Sequence, residues 1–412
     1  MEKLLVTTNN FWLGGRETYL DTWLEALRER GVSADLLASQ IQPGVPGLER
    51  FDRIGEAGSL PPVERFQAWL AAGETMMADP TALIWSHHFD LLPAWLLSRL
   101  HSIPLLVTFH GPLVDAGRPN DPLQALGMTL AIHRAEGISG VSEEIVEQLG
   151  DLRGGAGPDP VVIPNTVRVG SEGSAPLQLP PKRLVMVTRR DKLEHIRAGV
   201  LLFAEYARHV RGARLFVADG EKKGEPERFG QPLGTRLQTT LRQLGRRWCL
   251  AQGPRLLRAL PAIEFIGWTA DARALIRRCD AVLGMGRVIL EALAERRPAV
   301  LIGYQAVHGL VTAESFARFR WSNFSGRKMA AADRRRVAKQ LAALSGDAGV
   351  EVVLDPISSD VGVHDLLAVL ESVGAGNPPA DDLMLAQTLT DAIRGGRSAE
   401  DLLAVAAGRM SE

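Results

Sequence analysis

The chain has 412 residues, enough for two or three domains of ordinary size. With 46% hydrophobic and 23% charged residues it has a globular composition, and a formal net charge of −1 lacks the basic excess of a nucleic-acid binder. The two cysteines, Cys249 and Cys279, form no C-x-x-C pair, so neither a disulfide framework nor a structural zinc site is expected and a reducing compartment fits. The N-terminus enters a strand-like stretch without a signal-peptide pattern, and no apolar run approaches the roughly 18 residues of a membrane span. A cytoplasmic protein is expected, with peripheral contact at the inner membrane face left open.

In chain order, short apolar runs alternate with amphipathic stretches. Leu4–Thr7 reads as a strand, and 16–30 as a helix with Leu20, Trp23, Leu24 and Leu27 on one face, stopped at Gly31. Further strands are expected at 32–37, 82–85, 105–109, 137–141 and 161–163, with helices at 91–100 and after the N-cap candidate Ser142. A stretch rich in Gly, Ser and Pro at 170–182 reads as a linker. The alternation then restarts, with strands at 184–188, 215–218, 263–266, 281–283 and 299–302 and helices at 198–210 and 288–295. The pattern predicts an α/β protein with two mostly parallel sheets: domains at 1–169 and 183–345, the linker at 170–182, and a mainly helical tail at 346–412 with an apolar run at 350–354.

In open parallel sheets ligands sit beyond the carboxyl ends of strands, so the residues just after each strand are the informative ones. After the first strand, Gly14 and Gly15 open a helix. They form either a diphosphate-contacting loop or a plain βα turn. His110 follows the 105–109 strand, where it could donate a hydrogen bond or act as acid or base; His87 and His88 are weaker candidates of the same kind. Arg189, Arg190 and Lys192 follow the 184–188 strand and suit a pyrophosphate leaving group, the alternative being a solvated basic loop. Gly284, Gly286 and Arg287 lead into a helix with Glu291 in its second turn, where a carboxylate could accept from ribose hydroxyls. A dinucleotide fingerprint would need glycine at 289, and Ile289 stands there, which ranks a dehydrogenase last. No metal-ligand spacing occurs.

An ordered series of motifs resembles bacterial family-4-type (group 1) glycosyltransferases: Gly14-Gly15-Arg16-Glu17, Thr108-Phe109-His110-Gly111, Val141-Ser142-Glu143, Val162–Val167, Arg189, Phe265-Ile266-Gly267 and Glu291-Ala292-Leu293-Ala294 with Pro298. The resemblance implies the GT-B fold, two Rossmann-like domains facing across a cleft. It implies sugar transfer from a nucleotide-diphosphate sugar to a glycan, lipid or other acceptor, with retention and without metal or cofactor. It assigns Glu291 to ribose, Arg189 to phosphate and His110 to the transferred sugar. Three departures stand out. The family's earlier glutamate, eight positions before Glu291, is Leu283; its lysine, five after Arg189, is Glu194, with Lys192 or His195 as substitutes; and the block from Gly303 to Thr312, followed by 323–327, is a subgroup variant. They motivate two alternatives: a catalytically degenerate relative that binds nucleotide or a partner, and a sugar-nucleotide epimerase of the same shape. The nucleotide base, sugar, acceptor and oligomeric state are not specified by the sequence.

Overall fold

The computed structural model describes the chain apart from residues 1, 13, 44, 46, 59–61, 78–80, 88–90, 114–120, 156, 170–176, 190, 220–229, 231, 270, 346–356 and 411–412. His88, Arg190, most of the expected linker and the 350–354 run therefore lie outside the described residues. The chain divides into two units, Met1–Thr166 with Ser359–Glu412, and Val167–Ser358.

The first unit runs β1 (Lys3–Phe11), α1 (Gly15–Arg28), β2 (Ser33–Ile41), β3 (Ile54–Glu56), α2 (Pro62–Met76), β4 (Leu83–Ser86), α3 (Leu92–Leu100), β5 (Leu105–Phe109), α4 (Pro122–Arg134), β6 (Gly137–Gly140), α5 (Glu143–Arg153) and β7 (Val161–Val162). Its seven strands pair in parallel in the order β3-β2-β1-β4-β5-β6-β7. Every residue of β4, β5 and β6 is buried, which requires cover on both faces and explains their unbroken apolar runs. Asp121 caps α4 by accepting from the Leu123 N–H at 2.9 Å, and Pro122 loses nothing in the first turn. Ser142 does occupy the N-cap of α5, yet its hydroxyl accepts no bond from the helix, so Glu143 and Glu144 serve the positive end instead.

The second unit runs β8 (Arg183–Val187), α6 (Leu193–Tyr206), β9 (Arg214–Ala218), α7 (Leu233–Leu244), α8 (Arg246–Ala251), α9 (Pro254–Ala259), β10 (Ile263–Phe265), α10 (Ala272–Arg277), β11 (Ala281–Gly284), α11 (Arg287–Ala294), β12 (Ala299–Ile302), β13 (Val307–Leu310), α12 (Ala313–Arg320) and α13 (Arg334–Ala342). The strand order is β10-β9-β8-β11-β12-β13, parallel except for β13 against β12.

The tail is helical, as the sequence suggested. Its helices α14 (Ser359–Gly374), α15 (Ala380–Arg394) and α16 (Ala399–Met410) are not a body of their own; they complete the first unit's core. Val363, Leu366, Leu370 and Val373 join the cluster containing Trp23 and Leu106. Val373 lies so close on Gly137 that a Cβ there would sit 2.5 Å from its Cγ2. Asp382 of α15 is buried and meets the buried Arg99 guanidinium at 3.1 Å; Arg134 binds the same carboxylate, and Glu136 meets Arg99 at 3.0 Å. A boundary drawn from the chain's order could not reveal this, because an apolar helix face does not name the sheet that covers it. No helix among the described residues is long and apolar enough to cross a membrane.

Candidate functional site

In the second unit the chain places β9 and β10 on one side of β8, and β11, β12 and β13 on the other. The direction of winding therefore reverses between β8 and β11, and an open α/β sheet leaves a crevice there, at the carboxyl ends. Arg189 and Lys192 follow β8; Gly284 ends β11, and Gly286, Arg287 and Glu291 follow it. The sequence candidates of this half thus flank one switch point. Gly286 has φ +61° and ψ −135°, backbone that favours glycine, and a Cβ there would meet nothing within 4 Å among the described residues. The start of α11 is consequently open to an approaching group, with the helix dipole's positive end behind it.

Glu291 is not a solvated helix residue. Its side chain is 13% exposed and its Oε1 accepts from Arg287 Nε at 3.2 Å. Burial pushes its carboxyl pKa up, while Arg287, one turn away, pulls it back. On the other side of the switch point, Arg189 is held by Asp191 at 2.6 Å and 3.0 Å, both side chains exposed. Lys192 Nζ lies 4.9 Å from the centroid of the Tyr304 ring, which follows β12. Asp191 is the partner that sequence reasoning passed over; an acid two residues from an arginine was the available signal.

The departures acquire physical form. Leu283 lies within β11, fully buried, paired with Val300 and Met186. The connection from β11 to α11 is Met285 and Gly286 alone, too short to present a side chain from the position eight residues before Glu291. Glu194 points along α6 to Arg197 at 2.6 Å, which offsets the carboxylate the sequence places near a diphosphate. His195 is buried, with Nδ1 3.0 Å from the Gly303 carbonyl oxygen, and burial lowers its pKa. It is therefore an anchor for the end of β12 and no substitute for a lysine; Lys192 is the cation that remains.

In the first unit the winding reverses between β1 and β4. Gly14 and Gly15 follow β1, His87 follows β4 and His110 follows β5. Among the described residues a Cβ on Gly15 would meet nothing within 4 Å, whereas one on Gly14 would lie 2.9 Å from Glu17 Oε2. Glu17 is buried and bound by Arg16 at 2.6 Å, so a carboxylate already stands at the start of α1, balanced by its neighbour. The sequence left His87 a weak candidate, yet it lies against His110, with His87 Nδ1 3.1 Å from His110 Nε2. The Tyr19 ring meets His110 edge-on at 4.8 Å, and Trp85 meets His87 at 4.4 Å.

This aromatic enclosure holds both imidazoles neutral. The His110 pKa is pushed down to about 3, by burial first and then by the Arg16 charge. Burial, then His110 and Arg16, take His87 well below its ordinary value. A general base works best with a pKa near the working pH, so this geometry favours hydrogen bonding over proton transfer. The buried Nε2 of His87 has no partner among the described residues. Were His110 the donor, that nitrogen would carry an unsatisfied proton; with His87 Nδ1–H donating, it keeps only a lone pair, the cheaper arrangement. His110 then carries its proton on Nδ1. No group of three or more His, Cys, Asp or Glu placed to hold a metal occurs among the described residues.

Known proteins agree with this architecture. Residues 14–166 match the family model of the glycosyl transferase 4-like domain. These residues all lie within the first unit. No curated protein matches the sequence. Among solved structures, HepE from Anabaena, in complex with UDP and glucose, has a TM-score of 0.58 at 16% identity over 90% of this chain and 100% of its own. The apo form of the lipopolysaccharide outer core galactosyltransferase WaaB gives 0.52 at 12% identity, over 90% and 99% of the two chains. The UDP-GlcNAc 2-epimerase of Methanocaldococcus jannaschii gives 0.53 at 11%, again over 90% and 99%. At such identities the likeness is one of fold, that of the GT-B glycosyltransferases, and it extends over both units. The family-4-type resemblance in the sequence and the α/β architecture it implied both stand.

Proposed function

We propose that the protein transfers a sugar from a nucleotide-diphosphate sugar to a glycan, lipid or other acceptor. The observation that carries this is the placement of two independently spaced motifs, Arg189 with Lys192 and Gly286 to Glu291, on either side of the β8/β11 switch point. In this reading Glu291 accepts from the ribose hydroxyls. The open start of α11 and Arg287 face the diphosphate. Arg189 and Lys192 offset the charge that grows on the nucleotide as the glycosidic bond breaks. On the first unit, His110 donates Nδ1–H to a hydroxyl of the transferred sugar. Retention and independence from metal follow from the family resemblance. Structures of HepE with UDP and with UDP-glucose support a nucleotide-sugar ligand for this fold.

Leu283 supports a second reading, binding without turnover, because no glutamate stands where the family contacts the donor sugar. Two measurements separate the readings. Thermal shift with UDP, GDP and ADP tests the nucleotide site; saturation at 100 times the dissociation constant adds about 2.7 kcal/mol. Incubation with isotopically labelled nucleotide sugars tests transfer. A nucleotide shift with no transfer, hydrolysis or epimerisation of any donor selects the binding protein. No shift with any nucleotide removes the proposal.

A further inference from the structure

The segment 318–339 carries eight lysines and arginines against one acid, Asp333, in a chain whose net charge is −1. Three of these cations, Arg318, Lys328 and Arg336, line a recess of about 590 Å³ between α12 and the strap that leads into α13. Trp321, Phe319 and His308 line it as well, and no carboxylate does among the described residues. Asp333 is committed elsewhere: it caps α13 by accepting from the Arg335 and Arg336 N–H groups at 2.7 Å and 3.3 Å. None of the crevice residues Arg189, Lys192, Gly284, Gly286, Arg287 or Glu291 lines the recess.

The recess is built rather than incidental. Its strap is fixed by Ala332 N–H donating to the Val307 carbonyl at 2.7 Å, and by the His308 imidazole, 3.1 Å from the Ala330 carbonyl. Since a carbonyl only accepts, His308 donates from Nδ1. Burial lowers its pKa, so the recess takes its charge from the three fixed cations. Lys328 has φ +56°, a left-handed backbone that glycine or asparagine would adopt at less cost. The lysine there carries its ammonium to 5.6 Å from the Trp321 ring centroid, at the recess. Arg318 likewise lies 5.0 Å from the Phe319 ring. A lysine kept in strained backbone, on an aromatic wall, in a pocket free of carboxylates, is the chemistry of an anion receptor. The volume exceeds what a bare phosphate fills, and the aromatic wall suits the carbon-rich remainder of a larger molecule.

We propose that this recess is a second anion site of the protein, which takes the phosphate of a phosphorylated ligand through Arg318, Lys328 and Arg336 and packs the rest of that ligand on Trp321. The phosphate arrives either on a free metabolite-sized molecule or on a lipid headgroup. The full-length protein tests this with two probes, phenyl phosphate by calorimetry and sedimented vesicles of phosphatidylcholine with phosphatidylglycerol, both at low salt. The variant replaces Arg318, Lys328 and Arg336 by glutamine. A control replaces the exposed Arg246, Arg247 and Arg258 by glutamine and loses the same charge elsewhere in the unit.

The expected result is binding of at least one probe by the wild type, at least tenfold weaker in the recess variant and changed less than twofold in the control. Binding of phenyl phosphate without vesicles assigns the site to a free ligand, and vesicles without phenyl phosphate to a lipid headgroup. No binding of either probe, or equal weakening in recess variant and control, overturns the proposal. A nucleotide thermal shift retained in the recess variant keeps this outcome separate from the fate of the β8/β11 crevice.

Discussion

The two units share the strand order of their first five parallel strands and differ in the chemistry at their switch points. Beyond β1, β4 and β5 the ends are lined with rings: Tyr19, Trp85, His87 and His110 pack on one another and the histidines stay neutral. Beyond β8 and β11 the ends carry glycine and ions: Gly286, Arg287, Glu291, Arg189 and Lys192. The difference teaches that the sheet supplies a place and the strand-end residues supply the chemistry. An enclosed neutral imidazole directs a hydrogen bond without adding charge. An open helix start with cations around it offsets a diphosphate.

The largest expected effect tests whether the units are separate bodies. Asp382→Ala leaves the Arg99 guanidinium buried without one of its carboxylates, a change that costs about 3–5 kcal/mol. Calorimetry should show the first unit's transition fall by many degrees while the second unit's hardly moves. Equal shifts in both would mean that the two melt as one.

Next comes the charged crevice. Glu291→Ala removes a charged acceptor and should weaken nucleotide binding by about 1.5–3 kcal/mol, with the fold intact by circular dichroism. Unchanged affinity would sink the ribose role.

The neutral histidines give a pH-dependent effect. Between the unfolded value of 6.5 and about 3 for His110 in the fold, the unfolded chain binds more protons, so stability falls as the pH drops through this window. Tm measured from pH 7 to pH 4 should decline less steeply in His110→Gln than in the wild type. The partner has its own signature. In nitrogen-15 spectra, His87→Gln should abolish the single Nδ1–H tautomer of His110, and a tautomer indifferent to the change would refute the hydrogen-bond argument.

The smallest effect separates the two ends most finely. Asp191→Asn releases Arg189 from an exposed ion pair worth about 0–1 kcal/mol, so nucleotide affinity should rise by up to about fivefold. A fall in affinity would place Asp191 itself on the ligand.

Much of this molecule was legible in one dimension. Alternating apolar runs located most of the strands, because a strand buried on both faces must be apolar throughout: 105–109 and 299–302 were bounded to the residue. The glycine loop and Glu291 were legible because a turn into a helix has few ways to be built. What remained hidden depends on partners distant in sequence. Val307–Leu310 pairs antiparallel at the sheet edge, and nothing in its own residues requires that strand. His87 gained its place from His110, 23 residues on, and Asp191 from the direction in which Arg189 folds back. Leu283, read from the sequence as the end of the 281–283 strand, is fully buried there. The sequence by itself determined the α/β class, the strand ends and the residue types that stand at them, since these follow from local periodicity and turn chemistry. Only the tertiary structure decided that Ser359–Glu412 belongs with the first unit, which histidine nitrogen carries the proton, and which carboxylates hold which cations, because packing and ion pairing join residues that the chain itself holds far apart.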